Sequence, residues 1–158
     1  MGAKEWITVA FILVISAVAM LNVTEKSEPK MLQQKITMTA QTVDTLRSNA
    51  NTYAGIVSTK DYNNLNMASL STTGIIDYTV TGAGSTSSFT APFDSEMTFS
   101  IAPTTGNKKF TVTINNSTNS SMDSTQLSQW QNNLVEYAKA GAGVATTTSR
   151  GVNLTFSN

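Results

Sequence analysis

From Trp6 to Val23 the chain carries no charged residue, and one acid, Glu5, stands at the mouth of that run. Eighteen helical residues reach about 27 Å at 1.5 Å per residue, close to the hydrocarbon depth of a bilayer. A carboxylate at the edge of such a region is costly unless it is paired or neutralised. Any fold for this chain must therefore bury the run in something apolar and find a partner for Glu5. The residues alone leave three readings open. The run is a cleaved secretory signal, with Lys4 as its basic flank and Ala17-Val18-Ala19 as the cut site, although Glu5 cancels Lys4. It is a membrane anchor of barely sufficient length. Or it is a helix that lies first in membrane and later in a protein assembly.

Composition excludes several functions. The chain has 158 residues, and its Lys+Arg and Asp+Glu are 10 each. No basic field exists to hold nucleic acid by its phosphates or to steer an acidic substrate. With only 13% of residues charged, the polar surface falls to Ser, Thr, Asn and Gln. There is no Cys and no His. Disulfides, thiolate metal sites and cysteine nucleophiles vanish together, as does the commonest general base and metal ligand. No cluster of carboxylates, Lys or Tyr replaces them. The expectation is a protein that is not an enzyme and has no cofactor, metal or catalytic residue.

The rest of the chain is read by period. Asn22 to Pro29 is a poor helix interior, because Pro29 lacks an N–H and clashes with the carbonyl four residues back. A helix break is expected near 22–29, at Pro29. Beyond it Leu32, Ile36, Thr39, Val43, Leu46, Ala50 and Tyr53 step by four and three, the spacing of one helix face. Lys35, Gln41, Asp44, Arg47 and Asn51 fall mostly elsewhere on the cylinder, and Gly55 is the expected stop. Residues 61–70 suit a short helix with Leu65 and Leu70 inward, and 82–88 read as a polar loop. From Glu96 the period becomes two. Met97, Phe99 and Ile101, then Phe110, Val112 and Ile114, predict a hairpin through a turn at 103–107. Asp123 and Gln126 form a capping pair for a helix carrying Leu127, Trp130, Leu134 and Tyr137, ended by Gly141. Val152, Leu154 and Phe156 predict a last strand. The order implies an α+β domain, with helices on one face of an antiparallel sheet.

An acid at position 5, an apolar run to about residue 21 and an amphipathic stem under an antiparallel sheet together resemble a type IV pilin. Met1 and Glu5 match the start of a mature pilin. The Met start and the order of the later segments are more similar to the type IVb class of bundle-forming, toxin-coregulated and conjugative pilins. Thr90-Ala91-Pro92-Phe93 falls where such pilins often turn before a strand. The resemblance is specific at the N-terminus and loose beyond it. Three departures stand out: Lys4 replaces an apolar residue, the usual cysteine pair is missing, and Gly2 offers another processing point that would move Glu5 to third position. Without a disulfide, Leu127, Trp130 and Leu134 are expected to hold the C-terminal region by packing.

The resemblance implies a pilin fold, with a long N-terminal helix packed on the sheet and one or two extra short helices. It divides the chain into an apolar helix over 1–25, an amphipathic stem over 26–55 and a globular head over 56–158. It implies that Met1 is the processed, N-methylated terminus and that Glu5 accepts the Met1 amine of an adjacent subunit. Trp6, Phe11, Leu13, Ser16, Ala17 and Leu21 would pack the filament core. Small residues there let helices approach closely. The partners implied are copies of the chain, the inner membrane before assembly, a prepilin peptidase and the pilus assembly machinery. The expected function is the major structural subunit of a surface filament serving adhesion, aggregation or conjugation. Two other readings stay open. One is a minor pilin or pseudopilin of a secretion system. The other is a signal-cleaved periplasmic or secreted binding module.

Overall fold

The structure is a computed structural model and describes residues 29–157. The apolar run, Glu5 and residues 22–28 of the expected break lie outside the described residues.

A 28-residue helix, α1 (Pro29–Ile56), is the longest described element. It runs about 42 Å at 1.5 Å per residue. Pro29 lies in its first turn, where a missing N–H removes no intrahelical bond. The expected face is the buried one: Leu32, Ile36, Thr39, Val43, Leu46, Ala50 and Tyr53 are all covered. The helix passes through Gly55, which does not adopt the left-handed conformation that would stop it there. Lys60 donates instead to the Gly55 carbonyl, which satisfies one of the acceptors left over at a helix end. The exit loop folds back on α1, with Tyr62 Oη donating to Asn51 Oδ1 at 2.7 Å. A short helix, α2 (Met67–Thr72), starts at a reciprocal cap between Asn66 and Ser69. Leu65 and Leu70 are both buried, though Leu65 precedes the helix.

The sheet has six strands: β1 (Val80–Thr81), β2 (Ser88–Ala91), β3 (Asp94–Pro103), β4 (Lys109–Asn116), β5 (Val144–Thr147) and β6 (Gly151–Ser157). Their spatial order is β1-β2-β3-β4-β6-β5, and every pairing is antiparallel. The expected hairpin is β3–β4, with Phe99 opposite Ile114. The expected last strand is β6, which enters between β4 and β5. Gly151 permits this: a Cβ there would sit 2.1 Å from the Ile114 carbonyl oxygen. β1, β2 and β5 are not evident from the two-residue period, because each is only two to four residues long. The 82–88 segment also differs from a plain polar loop. It closes a 3-10 turn (Gly84–Thr86), after which buried Ser87 donates to Gly84 O at 2.6 Å and accepts from Ala68 N at 3.0 Å.

The second long helix, α3 (Ser124–Ala140), begins at the predicted box: Asp123 accepts from Gln126 N at 2.8 Å and donates its own N–H to Gln126 Oε1 at 3.0 Å. Gly141 is the C-cap, but the left-handed residue is the next one, Ala142 (φ 56°). One sheet face holds Met97, Phe99, Ile101, Val112, Ile114 and Leu154, all buried under the helices. Trp130 and Leu134 are fully covered, as expected of a C-terminal region packed without a disulfide. Thr39 is the polar exception in the α1 stripe. Its hydroxyl donates to Lys35 O at 2.6 Å and accepts from Trp130 Nε1 at 3.2 Å, so α1 and α3 meet without an orphaned indole N–H.

Trp130→Ala is expected to lower unfolding free energy by about 3–5 kcal/mol, the usual cost of emptying an aromatic core site. Thr39→Val is expected to cost about 1–3 kcal/mol, because the indole N–H then stays buried without an acceptor. Urea unfolding followed by tryptophan fluorescence for Thr39→Val, and by far-UV circular dichroism for Trp130→Ala, measures both.

Candidate assembly surface

The helix α1 faces two environments, and its charges decide which is which. Lys35, Asp44 and Arg47 are half-buried at the flanks of the apolar stripe. Each is engaged by the head. Lys35 Nζ lies 2.9 Å from Asp94 Oδ2, an ion pair by distance although the angle is not that of a hydrogen bond. The same amine donates to Ser121 Oγ at 3.2 Å, and Glu96 Oε2 accepts from Ser121 N at 3.0 Å. This cluster ties the helix to β3 and to the loop before α3. On the other flank Tyr137 Oη donates to Asp44 Oδ1. The Arg47 guanidinium lies 4.2 Å from the Phe156 ring centroid, a cation–π distance.

Burial pushes the Asp44 carboxyl above its ordinary 3.8, with the Tyr137 hydrogen bond and the Arg47 charge acting against the shift. Burial and the neighbouring carboxylate push the Tyr137 phenol up, so Tyr137 keeps its proton and remains the donor. With these charges drawn to the flanks, the outward face of α1 carries no charge beyond exposed Lys30 in the first turn. Gln34, Gln41 and Ser48, seven residues apart, and Thr52 beyond them are exposed there. Sequence periodicity placed the charges off the apolar stripe but did not foresee that the head engages them. The one legible hint was the spacing of Trp130 and Tyr137, which puts both on the α3 face that meets α1.

Beside α1, at the β1–β2–β3 side of the sheet, lies an open groove of about 340 Å³. Met38 and Thr42 form its helix wall, while Tyr78, Pro92 and Phe93 form the other. The aromatic wall is backed by a column of rings. Tyr78 stacks on Phe89 at 4.2 Å, Phe89 on Phe99 at 5.3 Å, and Phe93 meets Phe99 edge-on at 6.4 Å. Pro92-Phe93 is the expected turn before a strand, joining β2 to β3.

Met1, Glu5, Trp6, Phe11, Leu13, Ser16, Ala17 and Leu21 lie outside the described residues. Pro29 alone among the expected site residues lies within them. Among the described residues no helix is long and apolar enough to cross a membrane. Nor does any group of three or more His, Cys, Asp or Glu among them come together to hold a metal ion. No model of a known family, no curated protein and no solved structure matches the chain.

The Asp44 shift has a defined sign. Its folded pKa exceeds the unfolded value, so the native state binds the extra proton and stability rises as pH falls through the folded pKa towards 3.8. Asp44→Asn lacks that increment. The stability of the unsubstituted chain relative to Asp44→Asn should therefore grow between pH 7 and pH 4. Urea midpoints for both proteins at the two pH values test this, and a difference independent of pH contradicts it.

Proposed function

We propose that the chain is the structural subunit of a type IVb-like pilus, polymerising through its N-terminal helix. The observation that carries the reading is the outward face of α1, uncharged beyond Lys30, on a helix that follows an eighteen-residue uncharged run in sequence. Identical copies can bring such faces together without like-charge repulsion, which would otherwise cost several kcal/mol. The α+β head, with the helix on one face of an antiparallel sheet, is compatible with that family's fold.

In this reading residues 6–21 sit in the inner membrane before assembly and hold the head outside. During assembly the same surface leaves lipid and packs among copies of itself. Exchange between two apolar media costs little, whereas exposure to water costs about 25 cal/mol per Å². The filament core is therefore the favourable destination. Glu5 accepts the amine of a processed, N-methylated Met1 on a neighbouring subunit. At about 4 Å and an effective dielectric near 20, the pair contributes about 4 kcal/mol before desolvation is subtracted. Its chief effect is register, since a misplaced subunit leaves a buried charge alone. A prepilin peptidase and a membrane assembly machine are the partners this route requires.

Electron microscopy of the sheared extracellular fraction is expected to show thin fibres whose subunit mass retains the apolar run. Glu5→Gln should reduce fibre yield about tenfold or more while the subunit still accumulates in the membrane. A secreted monomer lacking the run, or normal fibre yield from Glu5→Gln, would count against the reading.

A further inference from the structure

Lys35 on α1 and Asp94 at the start of β3 meet in a geometry that an ordinary ion pair does not account for. Their side chains are 18% and 7% exposed, and Lys35 Nζ lies 2.9 Å from Asp94 Oδ2. Yet Oδ2, a buried atom, accepts no hydrogen bond among the described residues. A buried acceptor with a cation at contact distance normally takes a hydrogen bond from it, because an unmet acceptor costs free energy. The amine thus stands against the carboxyl without donating to it. It donates instead to Ser121 Oγ at 3.2 Å, and Glu96 Oε2 accepts from Ser121 N at 3.0 Å. The other carboxyl oxygen, Asp94 Oδ1, accepts from Glu96 N at 3.0 Å. An amine is therefore held beside a carboxyl whose one oxygen rests on a backbone N–H and whose other oxygen is free to leave. That is the arrangement for acyl transfer to nitrogen.

We propose that Lys35 and Asp94 condense to an intramolecular isopeptide bond between Nζ and Cγ. The step needs no oxidant, reductant or co-reactant. One ammonium proton passes to the carboxyl, and Nζ then attacks Cγ. The Cγ–Oδ2 bond breaks, and Oδ2 leaves as water with two of the three ammonium protons. The third stays on the new amide nitrogen, so one positive and one negative charge disappear together. Charge that develops on Oδ1 during the attack falls on the Glu96 N–H. Two effects drive the step forward. Burial penalises both charges of the pair but not the neutral amide. Folding has already brought the groups together, so the entropic cost of joining two free molecules is absent. A pocket of about 200 Å³, with Lys35 and Ser121 in its wall, receives the released water. The bond fastens the second turn of α1 to the first residue of β3, a covalent tie in a chain without cysteine. It is independent of whether the chain forms fibres.

Peptide mapping of the full-length protein, incubated folded at neutral pH and then denatured for digestion, tests the bond. Trypsin cuts after Lys and Arg, but not after a lysine whose side chain is acylated. The expected result is no cut after Lys35 and a branched product that joins 31–47 to 61–108. Its mass should be that of the two peptides less one water. Lys35→Arg keeps the positive charge while its guanidinium does not form the amide. That variant should release 31–35, 36–47 and 61–108 as separate peptides, with complete loss of the branched product. Separate peptides from the unsubstituted protein after prolonged incubation overturn the proposal and leave Lys35 and Asp94 an ion pair. A lysine at 35 that still resists trypsin in Asp94→Ala overturns it as well, because the acyl partner then lies elsewhere.

Discussion

The structure depends on one-sided burial of the helix α1. Its apolar stripe, from Leu32 to Tyr53, is covered by the head together with Ala40 and Ala54, and the sheet is arranged to receive it. A stripe of seven positions at spacings of four and three leaves the rest of the cylinder to be disposed of. The head engages the charged residues on the flanks: Lys35 by Asp94 and Ser121, Asp44 by Tyr137, Arg47 over Phe156. Beyond Lys30 in the first turn, the exposed residues of α1 are uncharged, with Gln34, Gln41, Ser48 and Thr52 among them. A surface uncharged from Met31 to Ile56 lowers the barrier to packing against a like surface. It also withholds the steering that a charged partner would use.

This arrangement explains how a small head does without a disulfide. The C-terminal third is anchored by α3, whose Trp130 and Leu134 are fully covered and whose indole N–H is satisfied by Thr39. A single polar residue in the middle of the stripe thus specifies how the two helices meet, because any other register orphans a buried donor. The insertion of β6 between β4 and β5 adds a second tie, and Gly151 is the residue that lets the chain enter there.

Much of this was legible in the sequence, and for identifiable reasons. The α1 stripe, the β3–β4 hairpin and the Asp123–Gln126 cap each rest on a local pattern, so each stands where expected. Strands β1, β2 and β5 are too short to show a period and exist because longer neighbours template them. The end of α1 was missed by one residue because Lys60, five positions on, supplies a donor that a glycine stop would have made unnecessary. The engagement of Lys35, Asp44 and Arg47, and the groove between Thr42 and Phe93, were illegible. They join residues about 50 to 110 positions apart that no local pattern connects. The residues expected to carry assembly, Met1, Glu5 and the core-packing set to Leu21, remain a reading of sequence and resemblance.

The central claim is that the outward face of α1, uncharged beyond Lys30, is where copies of the chain come together. Its most direct measurement uses Ser48→Cys, a single thiol on that face of a cysteine-free chain, reacted with a water-soluble maleimide. The account predicts fast labelling in the detergent-dispersed subunit and protection of at least tenfold in the sedimented polymer. Equal labelling in both states, or a chain that never sediments as polymer, would contradict it.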